Sequence, residues 1–285
     1  VHIYVPSVGA HHSLGIQPIC AAQHSIAGEV MQDSAAIISV RQLTKVFRVG
    51  SEKVVALNDV SFDVPKGQIL CIVGTSGSGK STLLNQLAGL EKPTKGQVLI
   101  GGKNISAFSE TRLAGFRQKH IGFIFQSYNL MAAMTALENV SMPLIFRGMP
   151  RKKREIAAKR ILGEVGLSER AGHKPSQMSG GQQQRVGIAR AFVATPKIIF
   201  ADEPTGNLDT RTTVEVMQMM IRLCKQYNQT LVLVTHDTEI AEYADRIVTM
   251  RDGVIVEDRV NVKRAEETKE ETNPGAGEKG AKDET

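Results

Sequence analysis

Tryptophan is absent from this 285-residue chain, aromatic residues make up only 5% of it, and its cysteines number three. Cys20, Cys71 and Cys224 lie far apart with no C-x-x-C spacing, which argues against a disulfide framework or a cysteine zinc site; reduced cytosolic thiols are the expectation. No uninterrupted apolar run reaches the roughly 18 residues of a membrane-spanning helix, so the chain is not expected to cross a bilayer by itself. A cleavable leader is not expected either. The first charge is Glu29, yet Val1–Gly28 has no basic start and is interrupted by Pro6, Gly9, His11, His12, Gln17 and Pro18. His2, His11, His12 and His24 fall in that stretch without regular ligand spacing, which does not make a metal site.

What the chain does contain is enough apolar material, 41%, to bury a full core as one large domain or two lobes. Its net charge is +6. The flanks Val1–Val40 and Asp258–Thr285 lean acidic, so the positive surplus sits between them. A basic middle suits ATP, an anionic membrane face or nucleic acid, and does not choose among them.

Residues 1–36 lack helical or strand periodicity and read as a disordered or non-native extension ahead of a domain spanning 37–257. Alternating apolar residues run through Ile37–Leu43, Val54–Leu57 and Val60–Val64, and Pro65-Lys66-Gly67 turns the chain into the apolar run Gln68–Val73. A helix is expected over Lys80–Gly89, and strands over Val98–Ile100 and Ile121–Phe125. Thr135–Gly166 is helical in pattern, broken by Pro143 and by Gly148-Met149-Pro150, and suggests a helical insert over about residues 127–180. After it come a helix Gln182–Ala194, a strand Lys197–Ala201, a helix Thr212–Tyr227, a strand Thr230–Thr235, a short helix Glu239–Ala244 and strands Arg246–Met250 and Val254–Glu257. Strands alternating with helices predict an α/β fold with a largely parallel sheet, joined to a strand-rich lobe. From Asp258 on, the Lys/Glu-rich, aromatic-free tail is expected to stay unfolded.

Two helix starts are built to hold phosphate. Gly74, Thr75, Ser76, Gly77, Ser78, Gly79, Lys80, Ser81 and Thr82 follow an apolar strand and match G-x-x-x-x-G-K-[ST]. In that pattern main-chain N–H groups close around phosphates, Lys80 reaches the outer ones and the Ser81 hydroxyl ligates Mg²⁺. About a hundred residues on, Ser179-Gly180-Gly181-Gln182 opens another helix with Ser179 as N-cap. If these two starts lie on opposite faces, two copies packed head-to-tail would enclose two nucleotides.

The strand Ile198–Ala201 delivers Asp202 and Glu203 at its carboxyl end, where Asp202 can hold Mg²⁺ through water and Glu203 can polarise the attacking water. Leu231–Thr235 ends in His236, a candidate for the γ-oxygens and the water. Gln126 ends Ile121–Phe125 and can reach metal or water while joining the core to the insert. Phe47, a hairpin's length before Ala56-Leu57, can stack on adenine.

Together these residues resemble the nucleotide-binding subunit of an ABC transporter, over roughly Ile37 to Glu257. The likeness lies in ordered motifs: Walker A at Gly74–Thr82, the Q-loop Gln126, the signature Met178-Ser179-Gly180-Gly181-Gln182-Gln183, Walker B at Ile198–Asp202 with Glu203, the D-loop Gly206-Asn207-Leu208-Asp209 and the switch His236. Met178 replaces the more usual leucine and Phe47 the frequent tyrosine. Leu137-Glu138-Asn139-Val140, His173-Lys174-Pro175 and Gly181-Gln182-Gln183-Gln184-Arg185-Val186 are similar to the lipoprotein-release and macrolide-export group. That resemblance implies a P-loop NTPase core of the RecA type, an antiparallel β lobe and an inserted helical subdomain. It also implies Mg-ATP hydrolysis in an ATP-bound homodimer and an integral membrane permease resembling the cell-division protein FtsX, at the cytoplasmic face of the plasma membrane. Asp209 and the signature residues would then touch the nucleotide of the partner copy.

The basic run Arg147, Arg151, Lys152, Lys153, Arg154, Lys159 and Arg160, against Glu155 alone, is either a solvated helix face or a contact for anionic lipid. A rival class is a soluble ATPase of the same superfamily acting on DNA or the ribosome. One Walker A, one signature and no sustained heptads argue against it, and no nucleic acid is expected as partner.

Overall fold

The computed structural model describes residues 36–262 and 264. Expectations for Val1–Val30, for Cys20 and for the tail beyond residue 264 lie outside the described residues.

Ala36–Val49 (β1) and Glu52–Pro65 (β2) form an antiparallel pair, and β1 also pairs with Lys95–Ile100 (β4), which turns back into the short Lys103–Asn104 (β5). Both long strands change phase in mid-course. Ile38 and Val40 are buried on one parity and Leu43 on the other, because Gln42 takes φ 48 and the register shifts there. Asp59, at φ 53, does the same in β2, so the two strands expected at Val54–Leu57 and Val60–Val64 are one strand with a bulge.

The second sheet runs in the order β10-β9-β3-β8-β7-β6. Its centre is Ile69–Val73 (β3), which pairs in parallel with Thr230–Thr235 (β8) on one side and with Arg246–Arg251 (β9) on the other. Beyond β8 lie Ile198–Asp202 (β7) and Ile121–Ile124 (β6), also parallel, while Val254–Val260 (β10) closes the opposite edge antiparallel. A central strand covered on both faces has no polar side, which is why all five β3 residues are apolar and buried. Alternation divides them between two cores. Ile69, Cys71 and Val73 join the core on the helical side, whereas Leu70 and Ile72 join the one shared with β1, β2 and β4. Burial pushes both described thiols up, Cys224 to about 12, so neither is reactive.

The helices are Lys80–Leu87 (α1), Glu110–His120 (α2), Ala136–Phe146 (α3), Arg151–Glu164 (α4), Gly180–Phe192 (α5), Thr210–Gln226 (α6) and Thr238–Ala241 (α7). Of these, α2 is absent from the sequence expectations. The break expected at Pro143 does not occur: α3 runs through it. A capping box between Thr135 and Glu138 starts α3, and Ala136, Val140 and Leu144 bury one face, which outweighs the single N–H that proline lacks. The second expected break holds, with Gly148 at φ 68 and Pro150 capping α4.

Arg147 fastens this helical insert to the core. Its guanidinium donates to Gln118 O at 2.9 and 2.7 Å, to Lys119 O at 3.1 Å and to Ala194 O at 2.6 Å. At the other edge, β10 carries three residues past Glu257, where the sequence reading ended the domain. The Arg246–Asp258 ion pair and the Asn261 amide, which donates to Glu242 O and Ala244 O, tie that extension down.

Candidate active site

Because β3, β6, β7 and β8 are parallel, their carboxyl ends open on one edge, and the residues singled out above follow those ends directly. β3 leads into Gly74–Thr82, β7 ends at Asp202 and Glu203, β8 is followed by His236, and Gln126 lies two residues past β6. A cleft of about 830 Å³ brings Gly74, Thr75, Ser76, Gly77, Gly79, Lys80, Ser81 and Thr82 together with Glu203 and His236. Ala56, Thr238 and Thr249 also line it.

The loop takes its shape from Gly77 at φ 80 and Gly79 at φ 98, a region that side chains rarely adopt. Gly79 is the N-cap of α1 and has no side chain to give, so the first N–H groups of that helix carry no cap. Lys80 curls back across the loop, its ammonium donating to Gly74 O at 2.8 Å and Thr75 O at 2.9 Å, with only 6% of the residue exposed. Ser81 Oγ donates to Asp202 Oδ1 at 3.2 Å. Burial raises the Asp202 carboxyl above its ordinary value and the neighbouring Glu203 charge adds to this, while the Ser81 hydroxyl and Lys80 oppose it.

Glu203 leaves β7 in the left-handed region at φ 43, held by its N–H on Val234 O at 3.0 Å. That conformation costs a non-glycine residue about 1–2 kcal/mol. It turns the carboxylate to His236, whose Nδ1 lies 3.0 Å from Oε1. Gln126 closes on the same place from β6. A methyl group at Gly206 would stand 2.8 Å from Gln126 Nε2 and 3.4 Å from Glu203 Oε2, so glycine there makes room for amide and carboxylate to converge. The Asn207 amide, donating to Gln126 O at 3.0 Å, fixes the main chain at that point.

Phe47 is not brought into this cleft. It pairs with Val54 on the β1–β2 hairpin, and the Lys45 ammonium stands 5.0 Å from its ring centroid.

The second helix start is differently made. Ser179 caps α5 in a reciprocal box: Gln182 N donates to Ser179 Oγ at 3.3 Å and Ser179 N donates to Gln182 Oε1 at 3.1 Å. Ser179, Gly180, Gly181 and Gln182 share a cleft of about 440 Å³ with Asn207, Leu208 and Asp209. None of its lining residues belongs to the first cleft. Both glycines are closely approached by side chains: a methyl group at Gly180 would lie 2.9 Å from the Tyr128 hydroxyl and one at Gly181 would lie 2.6 Å from Thr212 Cγ2. Asp209 caps α6. Its carboxylate accepts from Thr212 N at 3.0 Å and Thr212 Oγ1 at 2.7 Å, and these bonds hold it below the usual carboxylate range.

The basic run dissolves into separate duties. Arg147 is bonded to core carbonyls, Arg154 donates to Met149 O, and Arg151 and Arg160 pair with Glu155 and Glu164. Among the described residues no ion pair engages Lys152, Lys153 or Lys159, which stand exposed around Ile156, itself 68% exposed. Sequence reasoning passed over Arg190 and Asn207 as site residues. Asn207 was visible within the D-loop motif, but the carbonyls Arg190 serves leave no trace in sequence.

Comparison with known proteins agrees with this geometry. Residues 57–206 match the ABC transporter family. The chain is 47% identical over 78% of its length to the macrolide export ATP-binding/permease protein MacB of Chlorobaculum tepidum, of which it spans only 34%. It is 44% identical to the lipoprotein-releasing system ATP-binding protein LolD of Geobacter metallireducens, covering 79% of this chain and 100% of that one. A solved dimeric, post-hydrolysis state of the ATP-binding cassette MJ0796, bound to ADP and Pi, superposes with a TM-score of 0.74 at 40% identity, over 79% of this chain and 98% of that one. A parallel sheet opening its carboxyl edge on a glycine loop, a second helix start in its own cleft and relatives of this closeness lead to one conclusion: the chain belongs to the ABC transporter family, in the group of the lipoprotein-releasing and macrolide-export ATP-binding proteins.

Proposed function

We propose that this chain binds and hydrolyses Mg-ATP and powers a membrane permease resembling FtsX, closing head-to-tail as a homodimer on two nucleotides at the cytoplasmic face of the plasma membrane. The observation that carries this reading is the separation of an open, lysine-bearing helix start from a serine-capped one, in clefts with no residue in common. One copy then offers the cradle around Gly74–Thr82, and the other offers Ser179, Gly180, Gly181, Gln182 and Asp209.

Lys80 exchanges the Gly74 and Thr75 carbonyls for phosphate oxygens, a favourable trade because the ammonium keeps its charge-assisted hydrogen bonds and gains the attraction of a full negative charge. Glu203 holds the attacking water and takes its proton, and His236, already in contact with that carboxylate, steadies it and reaches the γ-oxygens. The donors beside Lys80 fit a magnesium ion: a serine hydroxyl and a carboxylate whose burial already disfavours its charge without a cation. Ser81 would hold that ion, with Asp202 and Gln126 acting on its waters, and once bound it would supply charge neutralisation at the phosphates. Phe47 lies outside the cleft on the β1–β2 hairpin, and stacking on adenine would need that hairpin to turn it towards Ala56 in the cleft wall.

The output face is a groove of about 740 Å³ with Phe123, Phe125, Met142, Pro143 and Phe146 among its walls, suited to an apolar cytoplasmic helix of the permease. Lys152, Lys153 and Lys159 flank the insert towards anionic lipid. Glu203→Gln tests the reading. Turnover is expected to fall by about 10²–10⁴-fold while ATP affinity survives and an ATP-dependent dimer accumulates. A variant that hydrolyses ATP at the wild-type rate removes Glu203 from the role of base.

A further inference from the structure

Tyr128 and Asn129, just past Gln126, sit consecutively in the left-handed region at φ 59 and φ 48. Asparagine tolerates that region and tyrosine does so poorly, and two such residues in a row need an external hold. Arg190 supplies it. Its Nη2 donates to Tyr128 O at 2.8 Å and its Nη1 to Asn129 O at 2.5 Å. Among the described residues these carbonyls are its hydrogen-bond partners and no carboxylate pairs with it, while burial pushes the guanidinium below its ordinary value.

The place of this side chain gives the hold a consequence. Arg190 stands in the last turn of α5, the helix that Ser179 caps. It also lines the apolar groove together with Phe125, Met142, Pro143 and Phe146. The Tyr128 hydroxyl lies against Gly180, so the turn touches α5 at both ends. On the far side of Gln126, Asn207 secures its carbonyl.

We propose that Arg190 is a positioning residue for Gln126: its guanidinium locks the left-handed turn at Tyr128–Asn129 onto α5, so that Gln126, the capped start of α5 and the groove wall move as one body. This rests on the reading that the chain turns over ATP with Gln126 at the nucleotide. A residue that merely supports packing would, on mutation, lower melting temperature and nucleotide affinity together with rate. A positioning residue lowers the rate and the response to magnesium alone.

The test compares the full-length wild type with Arg190→Gln, Arg190→Lys and the double variant Arg190→Gln/Asn129→Gly, measuring melting temperature, affinity for a fluorescent ATP analogue, and turnover against Mg²⁺ concentration. Arg190→Gln is expected to keep nucleotide affinity within about twofold, to lose about tenfold or more in kcat and to need more Mg²⁺ for half-maximal rate, as misplacement of a distant support does. Arg190→Lys keeps a point charge but loses the fork that spans both carbonyls, and falls between. Asn129→Gly recovers part of the loss, because glycine adopts positive φ without the guanidinium. Wild-type kcat in Arg190→Gln overturns the proposal, as does an Arg190→Gln that binds ATP normally but gains nothing from Asn129→Gly. Should Arg190→Gln fail to fold, Arg190→Lys decides by the same assays, and a wild-type kcat there overturns it. A wild type that binds ATP without hydrolysing it fails the parent reading, and this one with it.

Discussion

At Gly79 the chain begins a helix with nothing to cap it; at Ser179 it begins one with a complete reciprocal box. Both are helix N-termini with the same positive end of the macrodipole, and they differ in who satisfies the first N–H groups. The open start leaves its donors to an anion and keeps a lysine curled over them. The closed start meets its own needs, so α5 folds as a sound core helix whether or not a phosphate is near, and it presents a hydroxyl and small residues on a surface instead of a cradle. On the proposed reading, one end is a binding site in a single copy and the other becomes one only against a second copy.

The sharpest way to break that distinction is Ser179→Arg. Nucleotide binding by the single copy should be unchanged, because the cradle around Lys80 shares no lining residue with Ser179, whereas the ATP-dependent dimer of a Glu203→Gln background should vanish. Light scattering reads the result, and an unaltered dimer would sink the two-cleft account. A smaller effect is expected from Gly181→Ala. The new methyl group meets Thr212 Cγ2, and overpacking of this kind costs about 1–3 kcal/mol in thermal or denaturant unfolding. Adding Thr212→Ser removes the opposing methyl while leaving the hydroxyl on Asp209, and stability should return; if it does not, the glycine is set by something other than the contact between α5 and α6. The smallest effect on either helix start belongs to charge reversal at Lys152, Lys153 and Lys159. ATPase activity and dimerisation should stay as they are, while flotation with anionic vesicles weakens in low salt, each charge contributing up to about 1 kcal/mol near such a surface. Equal flotation of mutant and wild type would leave the lysines as a solvated face.

The parts of the molecule that could be read in advance are those where local chemistry dictates local geometry. The apolar run Ile69–Val73 before a glycine loop fixes a central strand and its turn, and the acidic pair after Ile198–Ala201 falls where parallel strands end. α2 escaped because only Leu113 of it is buried, so it carries no apolar stripe; its signals were the Ser109 cap and the basic last turn of Arg117, Lys119 and His120. The bulges at Gln42 and Asp59 were illegible for a related reason, since a change of parity looks like a break between strands. Nor could a run of arginines and lysines announce which of them would find carbonyls. Arg147 and Arg190 serve main-chain oxygens far away in sequence, and only the tertiary fold brings those oxygens within reach.

Arg147 has a mechanical meaning beyond fastening. It clamps the chain beside the C-terminal end of α5, at Ala194, while Ser179 sits at the other end of that helix. Thirteen residues of helix make a rod about 20 Å long. A rod of that length converts angle into distance: were α5 to tilt by about five degrees about its Arg147 end, Ser179 would travel about 2 Å. In such a tilt a small angular displacement of the groove would become a full contact distance at the face that carries Ser179.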